Sequence, residues 1–226
     1  ILTTPITFVS TNHAITYDGH VPVFYDVNPN TGNADMESIR KGFEKYPDIA
    51  AIMVVHIGGY SCDMDKINEI AKEYGVPVIE DCAHSFGGRY KDEMVGDTDN
   101  ICVWSFQAVK NLPVGDGGGI STRNHEIASR IRKLIWLGID MNDIVATIGL
   151  TQLDYIEEDN NRRREIAKRY MTEIKPGVCE FPSYDDDIIS SSHFLPLFFN
   201  DRDSVYSRLV DNEIYPGMHY KRNDKY

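Results

Sequence analysis

Short apolar runs alternate with amphipathic segments over the first 140 residues of the chain. The run at 50–55 is apolar throughout, which is typical of a strand covered on both faces, and related runs lie at 21–27 and 76–81. Between them, segments 35–46 and 63–75 place apolar residues three and four positions apart, as helices with one buried face do. This alternation predicts a three-layer α/β/α fold with a mostly parallel sheet.

The pattern continues with shorter strands and a fourth amphipathic segment. Strands are predicted at 88–90, 102–106 and 119–122. A helix is predicted from Asn124 to Gly138, and its inward-facing residues are Ile127, Ile131, Leu134 and Ile135.

The periodicity changes after Gly138. Segment 143–174 predicts one long helix or two joined helices, ended by Pro176 and Gly177, and a further helix is predicted at 203–212. The sequence therefore divides into a large domain at 1–142 and, at 143–226, a linking helix with a small C-terminal α+β domain.

Charge and cysteine content narrow the class of protein. The net charge of −12 disfavours nucleic acid and anionic membranes as partners. No apolar run approaches the roughly 18 residues of a membrane span, and no signal-peptide pattern is visible. The four cysteines form no CxxC pair, so we expect free, mostly buried thiols, no metal site and a cytoplasmic protein.

Candidate chemistry centres on Lys110. It lies between an apolar strand that ends near Ser105 and a glycine-rich run at 115–119, and an earlier strand ends in Asp81. A lysine, a strand-end carboxylate and a hydroxyl are the groups that a pyridoxal 5′-phosphate (PLP) enzyme requires. The glycine run lacks the GxxxxGK[ST] pattern of a phosphate loop, so we expect it to let the backbone pass close to Lys110.

These residues stand among motifs that resemble a known family. The order and spacing of the motifs resemble the nucleotide-sugar aminotransferases of the DegT type, within the PLP-dependent fold-type I (aspartate aminotransferase) superfamily. Asp81 precedes Lys110 by 29 residues, and Ser105 precedes it by 5. The matching segments are 7–11, 22–27, 78–84, 95–97, 105–112, 115–118, 148–153, 163–170 and 217–220.

The resemblance assigns roles to two catalytic residues. Lys110 would form the Schiff base with PLP and then act as the general acid–base. Asp81 would pair with the pyridinium nitrogen and keep it protonated, so that the ring accepts electrons. The ordinary alternatives are a solvated lysine and an aspartate that caps a turn.

Four further residues take cofactor or substrate roles by the same resemblance. His84 would lie near the O3′ atom of PLP, Ser105 would bind its phosphate, and Phe8 would stack on its ring. His219 would lie near the sugar. The alternatives are a core histidine for His84, a strand-end residue for Ser105, core packing for Phe8 and a peripheral structural residue for His219.

The implied activity is transfer of an amino group, from L-glutamate, to a nucleotide-linked keto-deoxy sugar in amino-sugar or polysaccharide biosynthesis, by a homodimer. A non-catalytic relative that keeps the fold, and a nucleotide-binding α/β protein without PLP, are the alternatives. The chain departs from the family at Gln107, where a histidine is common. It also lacks the family's N-terminal Gly-Thr turn and a longer stretch expected between Asp140 and Met141.

Overall fold

Strands and helices alternate along the chain as the sequence predicts. The computed structural model describes residues 1–135 and 141–225. Within these ranges the strands are β1 (Leu2–Thr3), β2 (Val23–Phe24), β3 (Ile52–Val55), β4 (Val78–Asp81), β5 (Arg89–Tyr90), β6 (Glu93–Met94), β7 (Ile101–Ser105), β8 (Gly118–Ser121) and β9 (Ile188–Ile189). The α-helices are α1 (Val9–Tyr17), α2 (Met36–Lys45), α3 (Met64–Tyr74), α4 (His125–Ile135), α5 (Asp143–Leu153), α6 (Ile156–Glu173) and α7 (Arg202–Asp211).

Six of the strands form one mostly parallel sheet. Their order is β2-β1-β3-β4-β7-β8, and only the β7–β8 pair is antiparallel. A second sheet has the order β6-β5-β9, with both pairs antiparallel. The central position of β4 places its carboxyl end between those of β3 and β7, where ligands of parallel α/β sheets bind.

Both faces of the main sheet carry helices, and side chains alternating along β4 reach both layers. One face holds the core, in which Ile52 and Val78 of the sheet pack with Ile39 of α2 and Ile67 of α3. Full burial of each such side chain contributes about 1.5–3 kcal/mol. On the opposite face, Asp81 meets α1 through a hydrogen bond from Thr11. The predicted three-layer α/β/α fold is therefore confirmed.

Local capping fixes the ends of α3. The side chain of Asp63 accepts a hydrogen bond from the Lys66 amide at 3.2 Å and caps the amino end. Gly75 ends the helix with a φ of 68°, a left-handed conformation that glycine adopts without strain. Both boundaries agree with the sequence prediction.

Two expectations change. The strand expected at 21–27 shortens to β2 at the edge of the sheet, whereas the helical segment after 143 forms two helices, α5 and α6, which is one of its two predicted alternatives. The inward face predicted for α4 is wrong, because none of the helix's residues is buried and Leu134 is 56% exposed. Amphipathic spacing shows which face is apolar and not whether another element covers it. Arg164 of α6 donates a hydrogen bond to the Ser190 carbonyl at 3.0 Å.

The remaining expectations concern a helix end, a domain boundary, the cysteines and membrane spans. The end of the fourth helix at Gly138 and the join before Met141 fall at 136–140, outside the described residues. The division into domains at 142 stays a prediction, and β9 from the later part pairs with β5 from the earlier part. Cys62, Cys82, Cys102 and Cys179 are free thiols, and the first three are buried as expected. No helix in the described part combines the length and the apolar character needed to cross a membrane.

Candidate functional site

Lys110 lies in the loop that joins β7 to β8. Backbone hydrogen bonds close this loop from both sides, from the Phe106 amide to the Gly117 carbonyl at 2.8 Å and from the Ala108 amide to the Gly115 carbonyl at 3.0 Å. The Lys110 amide donates to the Gln107 carbonyl at 2.8 Å, which makes a tight turn. The glycine run thus pairs with the loop, as its predicted role requires.

The Lys110 side chain is half-buried. Burial lowers the pKa of its ammonium group, and the nearby Asp81 carboxylate opposes part of that shift. Among residues 1–135 and 141–225, no carboxylate oxygen lies within 4.0 Å of the Lys110 Nζ atom. A lowered pKa increases the fraction of neutral amine, which is the nucleophilic form.

Asp81 is oriented by two hydrogen bonds. Its Oδ1 atom accepts from the Ala83 amide at 3.0 Å, so the turn-cap alternative describes one oxygen correctly. Its Oδ2 atom accepts from the Thr11 hydroxyl at 2.7 Å, and that hydroxyl lies 2.9 Å from the Thr7 hydroxyl. The carboxylate is therefore fixed by its own strand end and by α1 together.

His84 is buried with one ring nitrogen unpaired. Its Nε2 atom lies 3.0 Å from the Tyr220 hydroxyl, while Nδ1 has no hydrogen-bond partner in the described chain, and neither has the adjacent Ser85 hydroxyl. His84 is only 4% exposed, so an unpaired nitrogen there carries a desolvation penalty. A core histidine paired at both nitrogens, the alternative for this residue, does not describe it.

Aromatic rings connect the predicted site residues. The His84 ring stacks on His193 with centroids 4.6 Å apart and meets Phe194 edge-on at 5.3 Å. Phe194 in turn stacks on His219 at 4.4 Å, and Tyr220 meets the Phe8 ring edge-on at 6.2 Å.

The aromatic contacts join three of the six predicted residues, Phe8, His84 and His219. Charge interactions of Lys110 with Asp81, His84 and His219 place two more in the same region. Phe8 is 57% exposed, so the core-packing alternative is wrong for it. Ser105 ends β7 opposite Gly118, as its strand-end alternative states, and within the described ranges its hydroxyl has no hydrogen bond. The structure therefore places Ser105 near the base of the Lys110 loop without linking its side chain to the others.

Sequence reasoning missed Thr11, Asn111, His193 and Tyr220 as members of the site. Thr11, Asn111 and Tyr220 lie inside motifs that carried the resemblance, without a role of their own. His193 follows three serines at the start of an apolar run, which is a weak signal. Its contact with Asn111 spans 82 residues of sequence, so no local pattern reveals it.

A second polar cluster lies on the core face of β4. Ligand atoms of His56, Glu80 and Cys82 lie within 4.8 Å of one another. The His56 Nδ1 atom accepts from the Cys62 amide at 3.1 Å, and its Nε2 atom lies 3.0 Å from Glu80 Oε2. The other Glu80 oxygen accepts from Asn100 at 2.7 Å. Because both His56 nitrogens and both Glu80 oxygens have protein partners, we interpret the cluster as a structural polar network.

Acid should destabilise the protein through its buried histidines. Burial, aided by the Lys110 charge, lowers the pKa of His84 to about 2 and that of His193 to about 3. Unfolded histidines have a pKa near 6.5, so the unfolded chain binds more protons between about pH 3 and 6.5. The stability that depends on these neutral histidines is fully present above about pH 6.5 and is lost as pH falls. Each histidine lowers the free energy of unfolding by at most about 1.4 kcal/mol per pH unit.

Urea unfolding at several pH values measures the slope of the free energy of unfolding against pH. His193→Phe keeps a flat ring against His84 and should remove the contribution of one histidine to that slope. The exposed His13 supplies the control, since His13→Gln should leave the slope as in the unaltered protein. A slope that His193→Phe leaves unchanged would contradict the assignment.

Comparison with known proteins identifies the family of the chain. The model of the DegT/DnrJ/EryC1/StrS aminotransferase family matches residues 1–225. The chain is 31% identical over 245 residues to a UDP-4-amino-4,6-dideoxy-N-acetyl-beta-L-altrosamine transaminase of Campylobacter jejuni subsp. jejuni serotype O:23/36, covering 98% of this chain and 65% of the relative. It is 34% identical over 228 residues to a dTDP-3-amino-3,6-dideoxy-alpha-D-galactopyranose transaminase of Aneurinibacillus thermoaerophilus, covering 95% of this chain and 62% of the relative.

A solved structure shows the same fold. The sugar aminotransferase CalS13 from Micromonospora echinospora aligns with a TM-score of 0.90 at 30% identity, covering 100% of this chain and 68% of that chain. The chain spans 62–65% of the length of the two curated relatives. The match over residues 1–225 confirms the resemblance drawn from the motifs. This chain belongs to the DegT/DnrJ/EryC1/StrS aminotransferase family.

Proposed function

We propose that the protein is a PLP-dependent aminotransferase that moves an amino group, from L-glutamate, to a nucleotide-linked keto-deoxy sugar. The observation that carries the proposal is a half-buried Lys110 with a lowered pKa near a carboxylate, Asp81, that is held at both oxygens. Two relatives named as transaminases of UDP- and dTDP-linked sugars support the substrate class.

The residues present fit PLP. The unpaired, buried His84 nitrogen is a polar atom that a ligand oxygen would satisfy, and Lys110 offers an amine without a carboxylate in contact. The exposed Phe8 ring offers an apolar face. In our proposal Lys110 binds PLP covalently and Asp81 holds its ring nitrogen. His84 serves the O3′ atom, Ser105 the phosphate and Phe8 the ring face.

PLP, when bound, supplies an electron sink for the pair left behind when a proton leaves the carbon next to the transferred nitrogen. The Lys110 Nζ atom takes that proton from the amino-acid donor, for which it must be neutral, and its lowered pKa favours this. In the second half of the reaction, Lys110 returns a proton to the sugar carbon that receives the amine. Asp81 would hold the ring nitrogen of PLP, and the hydrogen bond from Thr11 keeps its Oδ2 atom in place.

The aromatic rings around Lys110 have a separate task. His84, His193 and His219 all have lowered pKa values, chiefly through burial and then through the Lys110 charge. Neutral rings stacked near the amine exclude water and leave Lys110 as the group that carries the proton. His219, on the exposed side of this stack, is the residue that we assign to the sugar.

Turnover with a panel of nucleotide-linked 3- and 4-keto sugars, with L-glutamate as donor, tests the proposal on the full-length protein. We expect 2-oxoglutarate to form with at least one UDP- or dTDP-linked sugar. A protein that binds PLP but aminates no member of the panel would support the non-catalytic alternative.

We also propose that the enzyme works as a cytoplasmic homodimer, with no membrane or nucleic acid as partner. Exposed apolar side chains support the dimer, because Ile144 is 77% and Leu150 is 67% exposed on α5. Large exposed apolar patches mark contact surfaces. The free thiols agree with a reducing compartment, and the net charge of −12 disfavours nucleic acid.

Sedimentation at assay concentration should show a dimer. Ile144→Glu should weaken it, because a charge would be buried in the interface, whereas Glu158→Gln on the exposed part of α6 should not. A monomer with full activity would contradict the dimer.

A further inference from the structure

Asn111, the residue that follows Lys110, is buried against two other parts of the chain. It is 4% exposed. Its Nδ2 atom donates to Asn160 Oδ1 at 2.7 Å and to the Ser191 carbonyl at 2.9 Å. Its Oδ1 atom lies 2.9 Å from the His193 Nδ1 atom. One side chain thus ties the Lys110 loop to α6 and to segment 190–193.

Asn160 extends the connection to the loop after β4. It is fully buried on α6, and its Nδ2 atom donates to the Phe86 carbonyl at 3.0 Å. Gly87 has a φ of 78°, and a Cβ atom there would lie 2.5 Å from the Asn160 Nδ2 atom. The helix therefore approaches this loop, which also carries His84, as closely as glycine allows.

The direction of every hydrogen bond in this network is fixed. The Phe86 and Ser191 carbonyls can only accept, so the amide nitrogens of Asn160 and Asn111 must face them. Asn111 Oδ1 must then face His193, whose Nδ1 atom must carry a proton and donate. Each residue in the series His193, Asn111, Asn160 donates a hydrogen bond to the next, and Asn160 donates to the Phe86 carbonyl. Only the His193 tautomer with a proton on Nδ1 allows this order.

We propose that this amide network, formed by Asn111, Asn160 and His193, positions Lys110 in its half-buried place beside Asp81. The inference rests on the proposed function for its catalytic meaning, whereas the positioning itself does not depend on PLP. No carboxylate oxygen lies within 4.0 Å of the Lys110 Nζ atom in the described part of the chain. The adjacent Asn111 is buried and hydrogen-bonded, so it is the fixed point next to Lys110 along the chain. These three residues are positioning residues.

Loss of the network should let the Lys110 loop move toward water. Four titratable groups face Lys110. The Asp81 charge opposes the lowering of the Lys110 pKa by burial. The Lys110 charge in turn lowers the pKa values of His84, His193 and His219. Because burial is the main cause of the lowered Lys110 pKa, a more solvated amine should recover a higher one.

Labelling of the full-length protein without PLP tests this directly. Trinitrobenzenesulfonate reacts with neutral amines, and mass spectrometry of the Lys110 peptide gives the rate at each pH. Asn111→Ala should move the midpoint of this profile upward by about one pH unit, which slows labelling at neutral pH about tenfold. His193→Phe, which keeps the stack on His84 but loses the Nδ1–H donor, should move it in the same direction by less.

Asn33→Ala is the matched control. Asn33 is equally buried and makes three hydrogen bonds, to Tyr60, Ser61 and Ile57, away from Lys110. It should lower thermal stability comparably and leave the Lys110 profile unchanged. Should Asn111→Ala fail to fold, His193→Phe decides alone. An unchanged profile in the folded variants, or an equal shift in Asn33→Ala, would overturn the inference.

A second measurement separates this inference from the proposed function. The same proteins are incubated with PLP and reduced with borohydride, and the labelled lysine is identified. One outcome is that the variants show the expected shifts in trinitrobenzenesulfonate labelling while the wild-type protein takes no PLP on Lys110. That result would support the positioning and reject the PLP function.

Discussion

Lys110→Ala is expected to abolish amino transfer, with a loss of at least about 10⁴-fold in turnover. Alanine removes both the amine that binds PLP and the base that moves the proton. Lys110 is the lysine on whose pKa the Asp81 carboxylate acts, partly offsetting the lowering by burial, without a carboxylate oxygen of the described residues in contact with its Nζ atom. Turnover is measured with the sugar that the panel identifies, and borohydride reduction of the unaltered protein should place the PLP label on Lys110.

Two controls accompany this variant. Lys110→Arg keeps the positive charge but not a nucleophilic amine, so it should be as inactive as alanine. Lys72→Ala, on the exposed side of α3, should stay near wild-type activity. A label on another lysine, or Lys110→Ala activity within tenfold of wild type, would refute the central role of Lys110.

Asp81→Asn is expected to keep the fold and lose about 10²–10³-fold in turnover, the range for removing one preorganised electrostatic contact in an active site. Thr11 and Ala83 donate to different oxygens of Asp81, so an amide, with a single acceptor oxygen, keeps only one of these two hydrogen bonds. It also cannot keep a proton on the ring nitrogen. The electron sink is then weaker. Circular dichroism checks the fold, and steady-state kinetics measure the loss.

Glu80→Gln is the matched control, because Glu80 precedes Asp81 on the same strand and faces the core. It should lower thermal stability through the buried contact with His56 and leave the turnover of the folded protein near wild type. Thr11→Val, which removes one support of Asp81, should cost less than Asp81→Asn. Asp81→Asn activity within a few-fold of wild type would contradict the assigned role.

Local signals made much of the fold predictable. Asp63 and Gly75 fixed both ends of α3, because a cap and a left-handed glycine act within one turn. The apolar runs identified the central strands β3 and β4, which are covered on both faces. The predicted strand at 21–27 was too long, because β2 lies at the edge and pairs with a single neighbour.

What the sequence could not supply is the set of contacts between distant segments. Lys110 and Asp81 were identified from the spacing of motifs and from the resemblance. Their catalytic roles stay predictions. The hydrogen bond from Thr11 to Asp81 spans 70 residues, and that between Asn111 and Asn160 spans 49. Neither pair has a periodic or capping pattern that would reveal it. The uncovered face of α4 was missed for the same reason, since partners cannot be read from one helix alone.

The two adjacent acids at the end of β4 make the register of this strand a constraint on protein engineering. Glu80 points into the core toward His56, and Asp81 points to the other face toward Thr11. A single-residue insertion or deletion within β4 would exchange the two faces, because side chains alternate along a strand. It would then present the longer acid to the site and leave His56 facing the shorter one. Loop grafts and chimeras should therefore cross over outside β4 and change its length only in steps of two residues.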